Sequence, residues 1–226
     1  MGAQFKLALG GTGSILSGII GLFVSQQILS LLEEISADSV DLEFMRNFLE
    51  SIGLYVIGIG LCLILLSIGF FGGGSKFKRA SGSVAGTTLL MASIGVLITG
   101  VIMYVLRDVI GSISLENIET LGELVFKIIA SAFILVGGIA IFLIGSLFFV
   151  FSGLVYFLRS PKGYIGALGI LLLMASPFVV FGNVQNIWLI PASFFLMGIC
   201  LYIQATISLE MEEEEFEYKE NNGIGF

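Results

Sequence analysis

The sequence predicts an all-α integral membrane protein, a bundle of six transmembrane helices. Three observations predict it. Hydrophobic residues make up 57% of the 226 residues, and mean hydropathy is +1.06. Charged residues are only 12%, about half their share in an ordinary soluble domain. Those charges are clustered, and the apolar runs between them reach the roughly 20 residues that a helix needs to cross a bilayer. A transmembrane β-barrel would show short segments of alternating polarity instead.

The first span covers about residues 5–32. It is long and lacks a small-residue cleavage site, so it reads as a retained helix rather than a signal peptide. Two lines of small residues run along it at four-residue spacing: Gly10, Ser14, Gly18 and Gly13, Ser17, Gly21, Ser25. In lipid, helices associate through close backbone approach, which small residues at i and i+4 permit. Gly10, Gly13, Ser14, Ser17, Gly18 and Gly21 are therefore the candidate helix-packing or partner interface. A pattern on two faces exceeds what one neighbour needs.

The second span covers about 51–71 and the third about 81–106. The fourth covers about 127–158, the fifth about 164–182 and the sixth about 187–208. Pro177 and Pro191 fall in the last two, where each removes a backbone donor. Two connections on the expected outer side are patterned. "SVDLEFMRNFLE" (39–50) and "SLENIETLGELVFK" (114–127) each gather apolar residues near one helical face. They predict short amphipathic outer helices, the second capped by Ser114.

"LLMAS" occurs at Leu89–Ser93 and again at Leu172–Ser176. Upstream, Gly86 matches Gly169, Arg79 matches Lys162, and Lys76 matches Arg159. "FKLALG" (5–10) likewise resembles "FKRASG" (77–82). These matches predict three tandem parallel hairpins, about 5–72, 76–158 and 162–209, related by an axis along the membrane normal.

Basic residues set the orientation. Lys6, Lys76, Lys78, Arg79, Arg159 and Lys162 share one side, against Arg46, Arg107 and Lys127 on the other. The expectation is a multi-pass protein of the cell membrane with both termini cytoplasmic. Tyr55, Tyr104 and Trp188 at outer ends, and Tyr156, Tyr164 and Tyr202 at inner ends, match the aromatic belts of a bilayer. The net charge of −7 resides mainly in the segment 210–226, which carries seven glutamates and one lysine. That acidic tail is set apart from the domain 1–209; a run of like charge reads as a solvated, mobile tail, with docking on a basic partner surface or continuation of the sixth helix as the alternatives. Nothing basic enough for nucleic-acid binding is present.

Enzyme chemistry has no candidate group. The chain has no histidine and only two cysteines, Cys62 and Cys200, in different spans. No metal ligand set or cofactor site is expected. The polar residues left are amides. Gln26, Gln27, Asn183, Gln185 and Asn186 fall toward the outer side and form a candidate polar outer vestibule; Gln204 lies near the inner end of the sixth span. The expected function is a structural or accessory subunit of a membrane assembly, homo- or hetero-oligomeric. The alternative is a channel or facilitator for a small uncharged solute or ion. A dry centre filled by phenylalanine and leucine favours the first, and a continuous polar path the second.

Overall fold

The computed structural model describes residues 2–36, 42–111 and 118–221. Among them are six long helices and no strand: α1 (Ala3–Ser36), α2 (Leu42–Lys76), α3 (Ala80–Gly111), α4 (Ile118–Arg159), α5 (Tyr164–Gly182) and α6 (Leu189–Asn221). A short 3-10 helix (Val184–Trp188) joins the last two. All six are long and apolar enough to span a membrane.

Helices adjacent in the chain lie side by side, and α6 closes back on α1. The result is an up-and-down ring. Glycine sets the spacing at most of its seams. A Cβ on Gly10 would collide with the Gly69 backbone, joining α1 to α2. One on Gly82 would fall 2.6 Å from Gly74 Cα, joining α3 to α2, and one on Gly95 would fall 2.5 Å from the Phe142 nitrogen of α4. These are contacts that only a missing side chain allows, so the described glycines serve mainly as packing surface.

The triplet Gly72–Gly73–Gly74 near the end of α2 serves three neighbours at once. Gly72 faces Ala3 and Lys6 of α1, Gly73 faces Tyr156 of α4, and Gly74 faces Gly82 and Ser83 of α3. Consecutive helical residues turn by about 100°, so three in a row address three directions.

Several helices are longer than a bilayer core is thick. α4 has 42 residues, about 63 Å at 1.5 Å per residue, against a hydrocarbon core of about 30 Å. The expected separate amphipathic helices over 39–50 and 114–127 are not separate. Residues 42–50 are the first turns of α2, and 118–127 are the first turns of α4; 39–41 and 114–117, with the expected Ser114 cap, lie outside the described residues. No glycine or proline stands between Leu42 and Ile52, and breaking a helix there would strand backbone donors and acceptors. In the acidic segment α6 continues as helix to Asn221, the continuation that the sequence allows.

The two "LLMAS" segments lie on α3 and α5. In both, the serine is buried and donates back three residues, Ser93 Oγ to the Leu90 carbonyl at 2.7 Å and Ser176 Oγ to the Leu173 carbonyl at 2.8 Å. Leu173 is the carbonyl that Pro177 cannot reach for want of an N–H, so Ser176 satisfies it. The preceding turns also correspond: Lys78 and Lys162 both have φ 50°, each two residues before its helix begins. Yet Gly86 packs on α2, whereas Gly169 packs on α6. The cause is register. The turns match at an offset one residue longer than the "LLMAS" copies do, and one residue rotates a helical position by about 100°.

Candidate functional site

Both small-residue lines of α1 are taken up inside the chain. Gly10 and Gly13 lie on α2, against Gly69 and against Cys62 and Leu65. Ser17 faces Cys62. On the other side Ser14 Oγ donates to the Phe194 carbonyl of α6 at 2.6 Å. Gly18 lies 3.0 Å from the Phe195 ring, measured from where its Cβ would sit, and Gly21 lies against Pro191. α1 is thus wedged between α2 and α6, and two neighbours within one chain account for two small faces.

The five far-end amides are gathered at the end opposite the basic turns, because α1 contacts the 3-10 helix there. Gln26, Asn183 and Gln185 are exposed, and Gln27 and Asn186 are half-buried. Asn183 Oδ1 accepts from the Gln185 N–H at 2.9 Å. It caps the 3-10 helix, so its side chain is spent on the turn. A second far-end group joins α2 to α3. Arg107 pairs with Glu50 at 3.0 Å and with Asp108 at 2.8 Å, and its guanidinium lies 4.4 Å from the Tyr104 ring centre.

The most enclosed polar group stands at the opposite, basic end. Tyr156 Oη donates to Gln204 Oε1 at 2.7 Å. Gln204 Nε2 donates to Cys200 Sγ, and Cys200 Sγ donates to the Lys162 carbonyl, both at 3.7 Å. Tyr156, Gln204 and Cys200 are fully buried. This chain of hydroxyl, amide and thiol ties α4 to α6 and to the turn before α5. Tyr156 therefore does not sit in an aromatic belt, as its depth in the sequence suggests; it points into the bundle. Gly73 makes this possible, since a Cβ there would overlap the Tyr156 hydroxyl. Charge-cluster spacing gives no hint of this pairing; the run of three glycines opposite it is the only local signal.

Above this group the centre is filled. Phe70 stands amid Phe149, Tyr156 and Phe157, with ring centres 5.2–5.3 Å away in edge-on contacts. Leu7, Leu66, Ile170, Met197 and Leu201 complete a fully buried apolar cluster. Edge-to-face aromatic packing of this kind is worth about 0.5–1.5 kcal/mol per pair beyond area burial. Among the described residues, no three His, Cys, Asp or Glu side chains converge as a metal site would require. Both cysteines are free and buried.

The flank of α4 is the opposite case. Near the basic end α4 touches α5, where Phe157 meets Gly166 and Gly153 meets Ile170. Toward the far end it packs on α3, through Gly138 and Gly145. Phe126 is 72% exposed and Phe133 76%. Gly137 faces open space. No known family model matches the chain, and no curated protein or solved structure matches it.

Proposed function

We infer that this chain is a non-catalytic, polytopic membrane protein that acts as a structural or accessory subunit, through its surface rather than through an interior path. The observation that carries the reading is the filled centre around Phe70, Phe149, Phe157 and Leu66. A solute path needs polar groups or water along its length; at this level the bundle offers packed rings and aliphatic chains. The interior polar group, Tyr156–Gln204–Cys200, fixes helices to one another and carries no charged side chain.

The flank of α4 supports a surface role. A helix of a closed bundle is usually covered on two sides. Among the described residues, the far half of α4 packs on α3 and exposes Phe126, Phe133 and Val136 beside Gly137. This is where another helix, of a second copy or of a different protein, fits best. α1 is a poorer candidate, because its small residues already serve α2 and α6.

We read the termini as cytoplasmic, from the basic turns, and the membrane as the cell membrane. We also read the hairpins as tandem copies. The matched lysine turns and the paired serine back-bonds support this, with a one-residue register shift between them. Isolation from the native membrane in mild detergent, followed by identification of co-purifying proteins, tests the subunit reading. A stoichiometric partner or a defined oligomer is expected; a solitary monomer overturns it.

A further inference from the structure

The basic end of the bundle concentrates charge on two turns that the fold brings together. Lys76, Lys78 and Arg79 lie at the α2–α3 turn, and Arg159 and Lys162 at the α4–α5 turn. Half of the chain's ten basic residues are here. The turns are neighbours because α2 and α4 meet across the centre just beside them, with Phe70 5.3 Å from Phe157 and Gly73 against Tyr156. Phe77, inside the first turn, also packs against that core. Lys6 lies close by, next to Gly72.

Lys78, Arg79, Arg159 and Lys162 are exposed. Among the described residues none of the four has an ion-pair partner. Two of them also stand in unfavourable backbone. At φ 50° each stands in the left-handed region, which favours glycine and disfavours a side chain with a Cβ. In the second turn a glycine is adjacent, at Gly163, yet it has φ −75° and the left-handed position falls to Lys162. The lysines are not there for ease of turning.

We propose that these two turns form one basic surface that binds the phosphate headgroups of anionic lipids in the leaflet they face. In a membrane-spanning chain this surface lies at headgroup depth, at the ends of four spans, and its charge complements a phosphate-rich layer. Each lysine or arginine near an anionic membrane surface contributes about fivefold in affinity. The chain's own acidic segment is poorly placed to occupy the surface. It continues α6 as unbroken helix to Asn221, about 20 Å of helix beyond Ser208, and a continuous helix cannot fold back onto two turns beside its own base.

The proposal rests on the chain being membrane-spanning, and the two fail differently. A chain released from membranes by alkaline carbonate fails the first reading. An integral chain without lipid preference fails only this one. The test is native mass spectrometry of the full chain in detergent with phosphatidylglycerol, phosphatidylcholine of the same acyl chains, or inorganic phosphate. The wild-type chain is expected to retain phosphatidylglycerol at least about tenfold over phosphatidylcholine. Lys78→Gln, Arg79→Gln, Arg159→Gln and Lys162→Gln together abolish that preference. Arg46→Gln with Arg107→Gln, at the far end, leaves it intact. Should the fourfold variant not fold, Arg79→Gln with Arg159→Gln, one from each turn, is expected to lose most of it. No preference in the wild type, or full preference in either basic-turn variant, overturns the proposal. Displacement by millimolar phosphate assigns the site to a free anion instead. A several-fold gain on replacing Glu212–Glu215 with glutamine assigns it to the chain's own acidic segment.

Discussion

Replacing Gly73 with alanine should break the polar group at the basic end, and the size of the effect follows from the geometry. The new Cβ overlaps the Tyr156 hydroxyl and lies 2.7 Å from Cζ of the same ring. The ring has to move. Three losses follow. The hydrogen bond to Gln204, 2.7 Å long, is worth about 0.6–1.7 kcal/mol in a membrane protein. Gln204 Oε1, fully buried, is left unpaired at about 1–3 kcal/mol. The edge-on contact of Tyr156 with Phe70 loses part of its 0.5–1.5 kcal/mol or so. Because the first two overlap, the total is about 2–4 kcal/mol. Tyr156→Phe removes the atom that the Cβ meets first, though Cζ remains close. Gly73→Ala should therefore cost about 1–2 kcal/mol less in the Tyr156→Phe background than in the wild type. The assay is unfolding by sodium dodecyl sulfate titration in mixed micelles, followed by the fluorescence of Trp188, the single tryptophan. Additive effects of the two substitutions would refute the reasoning, because they would mean that Gly73 and Tyr156 do not meet.

Other outcomes follow from single contacts. Ser176→Ala should destabilise the bundle by about 1 kcal/mol, because the Leu173 carbonyl next to Pro177 loses its donor; Ser93→Ala, with no proline after it, should cost less in the same titration. Arg107→Gln should give a small loss of stability that disappears in high salt, since its partner Glu50 is well exposed and salt screens such pairs. In intact cells, a cysteine placed at Lys78 in a chain lacking Cys62 and Cys200 should react with an impermeant maleimide only after the membrane is opened; labelling from outside would reverse the assigned topology.

The six long apolar helices and their approximate spans were legible in the sequence because long apolar runs separated by clustered charge have no other stable arrangement in lipid. Their ends were not. Glu43, Arg46 and Glu50 look like a surface segment by polarity, but helix continuity depends on backbone hydrogen bonds, and no breaker interrupts them. The glutamates after Ser208 are good helix formers, so continuation of the last helix was one of the readings the sequence allowed there. The small faces of α1 were readable as packing surface. What covers them was not, because it depends on α6 returning beside α1 at the end of the chain. Depth in the sequence alone suits Tyr156 to an interface. Its true environment is set by Gly73 on another helix, a relation that no periodicity records.

The central claim is that this protein works through its exterior, and the far half of α4 is the surface to probe. A photo-crosslinking amino acid at Phe133 or Val136, both exposed, is to be activated in native membranes, with Leu61 on the exposed side of α2 as the comparison. The account predicts a discrete protein adduct from the α4 positions and none from Leu61. Lipid adducts alone at every position would contradict it.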